Sequence, residues 1–215
     1  MDSGGSMADF DLASALLDAG AVRLSPAQPF TWASGLKSPI YCDNRQLLGH
    51  PALRRGIADA LTERARHLGP TLVAGTATAG IPWAAFVAEA LELPMAYVRA
   101  EAKKHGMGRQ VEGPSTRGHR VLLVEDLLST GGSSLRCVEA LRAEGAELLE
   151  VLALFSYGLP RAQRAFAEAQ AAWSVLATFE DLLARARARG IVDAEGLAAL
   201  AEWRLDPEAW SGART

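Results

Sequence analysis

Val121-Leu-Leu-Val-Glu-Asp-Leu-Leu-Ser-Thr-Gly-Gly-Ser133 decides how this chain is read. Val121 to Val124 is an unbroken apolar run of strand length, the pattern of a strand buried on both faces. Glu125 and Asp126 follow at its end, then Leu127 and Leu128, then a turn of small hydroxyl and glycine residues. A helical pattern takes over from about Ser133 to Ala143. Strand, polar turn and helix in that order make half of a parallel α/β unit, and open parallel sheets bind ligands at the carboxyl ends of their strands. The turn Ser129-Thr130-Gly131-Gly132-Ser133 can aim several backbone N–H groups and three hydroxyls at one anion, helped by the positive end of the helix dipole. Its glycines let the backbone approach a phosphate with no Cβ between. Two carboxylates would repel that phosphate, but they accept hydrogen bonds well from vicinal sugar hydroxyls. Acids beside an anion cradle therefore point to a ribose phosphate.

Outward from this stretch, strands and helices alternate. Thr71 to Gly75 reads as a strand, Thr76 to Gly80 as a second small-residue turn, and Ile81 to Leu91 as a helix. Gly75 to Gly80 has the glycine spacing of a P-loop, but Ile81 stands where that motif requires Lys, so that reading is rejected. Pro94 to Arg99, Leu148 to Phe155 and Trp173 to Leu176 are further strands, with a helix over Pro160 to Ala169. This alternation argues for an α/β fold with a parallel sheet. Phe10 to Ala19 is a helix ended by Gly20, and His50 to Leu68 is another with Pro51 in its first turn. Between them, short strand candidates at Ala21–Leu24 and Phe30–Trp32 and the segment Ser34 to Asp43 predict a small antiparallel hairpin. Thr178 caps a helix running through Arg189, with Asp181 in the capping-box position, and a last helix covers about Asp193 to Trp203. Residues 1–8 read as a flexible leader, and 9–210 as one domain with a core at about 50–177. A small hood would come from about 9–48 and 178–210.

The totals bound the function. With 215 residues, 49% of them hydrophobic, the chain can fill a core. A net charge of −3 argues against a general nucleic-acid surface. Cys42 and Cys137 lie far apart with no metal-ligand spacing, which suits free thiols in a reducing cytoplasm. No apolar run approaches a membrane span, and the N-terminus lacks the regions of a signal peptide. Small-molecule partners are expected, with neither nucleic acid nor membrane among them.

Glu101 to Gly113 is polar, basic and glycine-containing without periodicity, which predicts a long mobile loop of the kind that is usually functional. Arg99, Lys103, Lys104 and His105 fall within seven positions there. Lys brings point charge, Arg a bidentate fork and His a group that titrates near neutral pH, a set suited to a polyanion such as pyrophosphate.

The opening stretch resembles the phosphoribosyl pyrophosphate motif of the type I phosphoribosyltransferases: a hydrophobic strand, two acids, two mostly apolar residues, then a Thr/Ser-Gly-Gly-Thr/Ser type of loop. Three further segments narrow the resemblance to the orotate phosphoribosyltransferases. Lys103-Lys-His-Gly106 resembles the Lys-x-His-Gly end of their catalytic loop. Phe30 to Tyr41 carries their Ser-Gly-x-x-Ser-Pro core, and Val73 to Pro82 is similar to their pyrophosphate loop. Glu202-Trp203-Arg204 with Asp206-Pro207 looks like the C-terminal end of some bacterial members. The likeness covers about residues 9 to 210.

That resemblance implies a type I phosphoribosyltransferase core and transfer of a 5-phosphoribosyl group from phosphoribosyl pyrophosphate to orotate. It implies Mg²⁺ carried by the substrate, with no side-chain metal ligand assigned, and a homodimer with shared active sites. Catalysis is expected of Lys103, His105 and Asp126. Phosphoribosyl pyrophosphate is expected against Arg99, Lys103, Lys104, His105, Glu125, Asp126, Leu127, Leu128, Ser129, Thr130, Gly131, Gly132 and Ser133, with orotate near Ser129. The chain departs from the family at Ala100 and Ala33, where many members carry Lys. Some members hold the orotate carboxylate with an Arg after the next strand; the corresponding region here is Tyr157 to Arg161. Another type I phosphoribosyltransferase, acting on a purine or uracil, would share the opening motif. A non-enzymatic regulator that binds phosphoribosyl pyrophosphate would also carry it, with a basic nucleic-acid surface or an added helix-turn-helix.

Overall fold

The structure, a computed structural model, describes residues 10–32, 34–101 and 110–214. The first third of the chain runs α1 (Leu12–Asp18), β1 (Val22–Leu24), β2 (Phe30–Thr31), β3 (Lys37–Ser38), β4 (Ile40–Cys42), a 3-10 turn (Asn44–Gly49) and α2 (Pro51–Leu68). The middle runs β5 (Leu72–Thr76), α3 (Gly80–Leu91), β6 (Met95–Val98), β7 (Val111–Glu112), β8 (Arg120–Leu128) and α4 (Gly132–Ala143). The last part runs β9 (Glu147–Ser156), α5 (Pro160–Glu168), β10 (Trp173–Ala177), α6 (Phe179–Ala188), α7 (Ala194–Leu205) and α8 (Pro207–Gly212).

Six strands form the main sheet in the order β10-β9-β8-β5-β6-β7, parallel except for β7. The apolar run at Val121 dictates the centre. Val121 to Val124 are fully buried, because β8 is flanked by strands on both edges and by helices on both faces. Alternation does the rest. Leu122 and Val124 enter the core shared with Ile57 and Leu61 of α2 and Trp83 and Val87 of α3. Val121 and Leu123 enter the core shared with Val138 and Leu141 of α4 and Phe166 of α5.

Two details differ from the sequence reading and both matter to the site. β8 does not stop at Val124. The long strand β9 runs beside it as far as Leu128↔Ser156, so Glu125, Asp126, Leu127 and Leu128 lie within the strand. The segment read as a structureless loop closes with β7, where Val111 pairs with Val98 and Glu112 with Tyr97. Residues 102–109 lie outside the described residues, and with them Lys103, Lys104 and His105.

The expected single hairpin is two nested ladders, β2 with β3 inside β1 with β4. Pro39, which has no N–H for a ladder, separates β3 from β4, and its carbonyl accepts from the Ser25 N–H at 2.8 Å. These N-terminal elements pack against the C-terminal helices. The Lys37 N–H donates to Ser211 Oγ at 2.8 Å, Arg185 pairs with Asp11 at 2.9 Å, and Arg189 pairs with Asp18 at 2.5 Å. Helix α8 was not foreseen, although Asp206 caps it through the Ala209 N–H and Pro207 opens it.

Candidate active site

The carboxyl end of β8 gathers most of the residues singled out in the sequence. Glu125 and Asp126 are neighbours at the end of β8, and their carboxyls lie within hydrogen-bonding reach of each other. The Glu125 carboxyl is buried and fully engaged. Its Oε1 accepts from Thr76 Oγ1 at 2.6 Å and from the Asp126 N–H at 3.0 Å, and its Oε2 accepts from Ser134 Oγ at 2.8 Å. It thus ties the turn after β5 to the first turn of α4. The sequence places both acids beside a sugar; these bonds are what Glu125 holds within the protein. Thr76 and Ser134 were not singled out as its partners, and nothing in the linear pattern pairs them with it.

Asp126 has a different environment. Burial, then the adjacent Glu125, pushes its carboxyl up to about 7; its own N–H and that of Leu127 act the other way with smaller effect. Its backbone carbonyl accepts from the buried Asn44 amide at 2.6 Å. Leu127 and Leu128 serve packing: Leu127 against one core, Leu128 in the other.

Past Leu128 the chain turns through Ser129 and Thr130 into α4, whose first residues are Gly132 and Ser133. Gly131 holds φ +81, and a Cβ there would stand 2.8 Å from Phe166 Cε2. Gly132 has room: the nearest atom to an added Cβ is Arg136 Nη1 at 3.6 Å. The turn of β5 into α3 is packed more tightly. A Cβ on Gly75 would lie 2.9 Å from Ala84 Cβ and Ile81 Cα, and one on Gly80 would overlap Thr76 Oγ1 and the Val124 carbonyl oxygen. The Ala77–Thr78 peptide in this turn is cis.

Arg99 follows β6, and its guanidinium Nε lies 3.7 Å from Glu112 Oε1. The base of the basic segment is closed by the Arg99 N–H donating to the Gln110 carbonyl at 2.9 Å, while Gln110 Nε2 donates back to the Arg99 carbonyl at 3.1 Å. Beside Thr130 of the glycine turn a cavity of about 220 Å³ opens, walled by Trp32, Leu36, Leu159, Arg161 and Leu205. Arg161 there faces Glu208 at 3.4 Å. Trp32 stacks on Tyr157 with ring centroids 6.0 Å apart, and Trp203 meets both rings edge-on at 5.9 and 5.3 Å. This aromatic wedge fixes the N-terminal ladders and α7 to the end of β9. Among the described residues no three His, Cys, Asp or Glu side chains gather as a metal cage, and no helix is long and apolar enough to cross a membrane.

A central strand ending in an acid pair and a glycine turn has clear counterparts among known proteins. The family model for the phosphoribosyl transferase domain matches residues 43–176. The orotate phosphoribosyltransferase of Bacillus caldolyticus is 53% identical over 202 residues, covering 93% of this chain and 98% of that one. The crystal structure of orotate phosphoribosyltransferase from Aeropyrum pernix superposes with a TM-score of 0.73 at 34% identity, covering 85% of this chain and 99% of that one. The Leishmania donovani UMP synthase superposes at 0.77 with 27% identity over 92% of this chain, which spans only 42% of that longer protein. Full-length similarity at this level joins motif, fold and crevice in one assignment: the chain belongs to the phosphoribosyl transferase domain family and, within it, to the orotate phosphoribosyltransferases.

Proposed function

We propose that the crevice at the carboxyl ends of β5, β8 and β9 transfers the 5-phosphoribosyl group of phosphoribosyl pyrophosphate to orotate. The products are orotidine 5′-monophosphate and pyrophosphate, a step of pyrimidine synthesis. The observation that carries this reading is the half-buried Asp126, whose carboxyl is raised by desolvation at the end of β8, just before the glycine turn Ser129–Ser133. The bond from the anomeric carbon to the pyrophosphate oxygen breaks as the orotate nitrogen attacks. Positive charge builds on the ribose and negative charge on the leaving group. The Asp126 carboxylate holds ribose hydroxyls and favours the cationic sugar, while Glu125 sets the spacing of the two turns. Ser129, Thr130 and Ser133, with the backbone N–H groups from Gly131 onward, hold the 5′-phosphate, and Ser129 borders the orotate. Arg99, Lys103 and Lys104 take up charge on the pyrophosphate, the electrostatic effect that usually dominates such catalysis. His105 assists the proton balance.

Mg²⁺ would be held mainly by substrate phosphates and waters. The polar turn Thr76–Gly80, bound to the acid pair through Thr76 Oγ1, suits such a chelate. Bound with the substrate, Mg²⁺ supplies neutralisation of the pyrophosphate charge.

We read 9–48 and 178–210 as a hood over a core of 50–177, and the enzyme as a cytoplasmic homodimer whose basic loop serves the neighbour's site. Two measurements test this. Pyrophosphate release should appear with orotate and not with uracil, hypoxanthine or no base; release with uracil or hypoxanthine instead would reassign the substrate. Mixing Lys103→Ala with Asp126→Ala subunits should restore activity toward half that of wild type per hybrid dimer. No recovery in confirmed hybrids would confine the loop to its own subunit.

A further inference from the structure

β5 pairs with β8 only as far as Gly75↔Val124, and at Thr76 it turns away into α3. Beyond that level β8 has lost its neighbour on one edge, just where Asp126 stands. The carbonyl of Asp126 is taken there by a side chain from the segment before α2. Asn44, 1% exposed and 82 residues away in sequence, donates from Nδ2 at 2.6 Å. The amide is itself oriented: Cys42 Sγ donates to Asn44 Oδ1 at 3.2 Å, which leaves Nδ2 facing the carbonyl. Burial, then the charge of Asp126, holds the Cys42 thiol well above its ordinary pKa, so it remains a protonated donor.

We infer that Asn44 is a positioning residue for the transfer reaction: held by Cys42, it replaces the missing strand at the Asp126 carbonyl and fixes the direction from which the Asp126 carboxylate meets the ribose. The inference rests on the reading of Asp126 proposed above. Misplacing a group at the reacting centre by about 1 Å costs on the order of a hundredfold in rate.

Asp126 is also faced by titratable groups: Glu125 on its own strand, Cys42 on β4, Arg45 in the 3-10 turn and Tyr157 after β9. None of these is altered in the Asn44 variants. Asn44→Ala admits water, eases the desolvation of Asp126 and moves the acid limb of kcat/KM to lower pH. Asn44→Asp places a second carboxyl beside it and moves the limb to higher pH. A residue that only supported the fold would not move the limb in opposite directions.

The test uses the full chain, with folding followed by circular dichroism, and kcat, KM and the pH profile measured with orotate and phosphoribosyl pyrophosphate. Asn44→Ala should fold and lose about tenfold to a hundredfold in kcat, with a smaller change in KM. Cys42→Ser, which keeps a donor, should retain the wild-type rate, and Cys42→Ala should lose part of it. Wild-type kcat in folded Asn44→Ala would overturn the inference, as would acid limbs that shift together in the two Asn44 variants. If the Asn44 variants fail to fold, equal rates in Cys42→Ser and Cys42→Ala overturn it instead, and a loss confined to Cys42→Ala supports it. Wild-type activity in Asp126→Asn would remove Asp126 from the site and bring down the reading of the site itself; an inactive Asp126→Asn beside normal Asn44 variants would remove only the positioning role.

Discussion

Two glycine-bearing turns flank the crevice, and the structure uses their glycines differently. In the turn after β5, Gly75 and Gly80 are needed by the protein itself, since added Cβ atoms would strike Ala84, Ile81, Thr76 and the β8 backbone. In the turn after β8, Gly131 answers to a left-handed backbone and to Phe166, whereas a Cβ on Gly132 would meet Arg136 at ordinary contact distance. A glycine explained by internal packing says little about a ligand. One that packing leaves unexplained, at a helix N-terminus beside an acid, is the position where a phosphate would come close. The two acids divide in the same way: Glu125 spends its oxygens on Thr76 and Ser134, and Asp126 is the acid we propose meets the ribose.

The largest test of this division is Asp126→Asn. Turnover should fall by about a hundredfold to a thousandfold, the equivalent of about 2–4 kcal/mol. Stability should move the other way. Asp126 titrates at about 7 in the folded chain against about 3.8 unfolded, so ionisation is easier in the unfolded state. The group therefore costs stability as pH rises from about 4 to 7, and the full cost stands above 7. Asp126→Asn should be more stable than wild type at pH 8 by about 2–4 kcal/mol, and no more stable at pH 4. Denaturant unfolding at both pH values would show this; equal stabilities at pH 8 would contradict a carboxylate raised by desolvation and by Glu125.

Next in size, Gly80→Ala should destabilise the fold by about 1–3 kcal/mol and lower activity with it. Gly132→Ala should do the reverse on stability, because Ala is the better residue in a helix by up to about 1 kcal/mol. Its penalty should be confined to a rise of about tenfold or less in the KM for phosphoribosyl pyrophosphate, the equivalent of about one hydrogen bond. If Gly132→Ala melts early, or Gly80→Ala melts like wild type, the contrast between the turns is lost. The smallest effect is expected from Glu125→Gln. An amide oxygen can still accept from Thr76 and Asp126, and the Ser134 hydroxyl can rotate to accept. The rate should fall by less than about tenfold, and the acid limb should move to lower pH as a neighbouring negative charge disappears. A loss as large as that of Asp126→Asn would put Glu125 on the sugar after all.

Much of this was legible because it is written in short spans. The run Val121–Val124, the turn after it and the alternation around it need only periodicity and turn chemistry, and the sheet follows them. What escaped depends on distant partners. That β8 continues to Leu128 follows from the length of β9 beside it, and Asp126 reads as the end of a run only when that neighbour is ignored. Thr76 meets Glu125 across 49 residues, and Asn44 meets Asp126 across 82. An isolated Asn after a strand carries no sign of such a destination. β7 escaped because two residues hold too little pattern, although their ladder closes the base of the basic segment.

The clasp between the two ends of the chain has a consequence for how the protein is made. Helix α1 is synthesised well before α6, but its ion pair between Asp18 and Arg189 closes across 171 residues, and the bond from Lys37 to Ser211 across 174. The buried faces of α1 share their core with Phe179 and Leu182 of α6, so Leu12 and Leu16 leave the ribosome long before those residues exist. The sheet core can assemble from what lies between. A segment translated before the sheet is then among the last to find its place, and a ribosome halted before α6 leaves that apolar face of α1 without its cover.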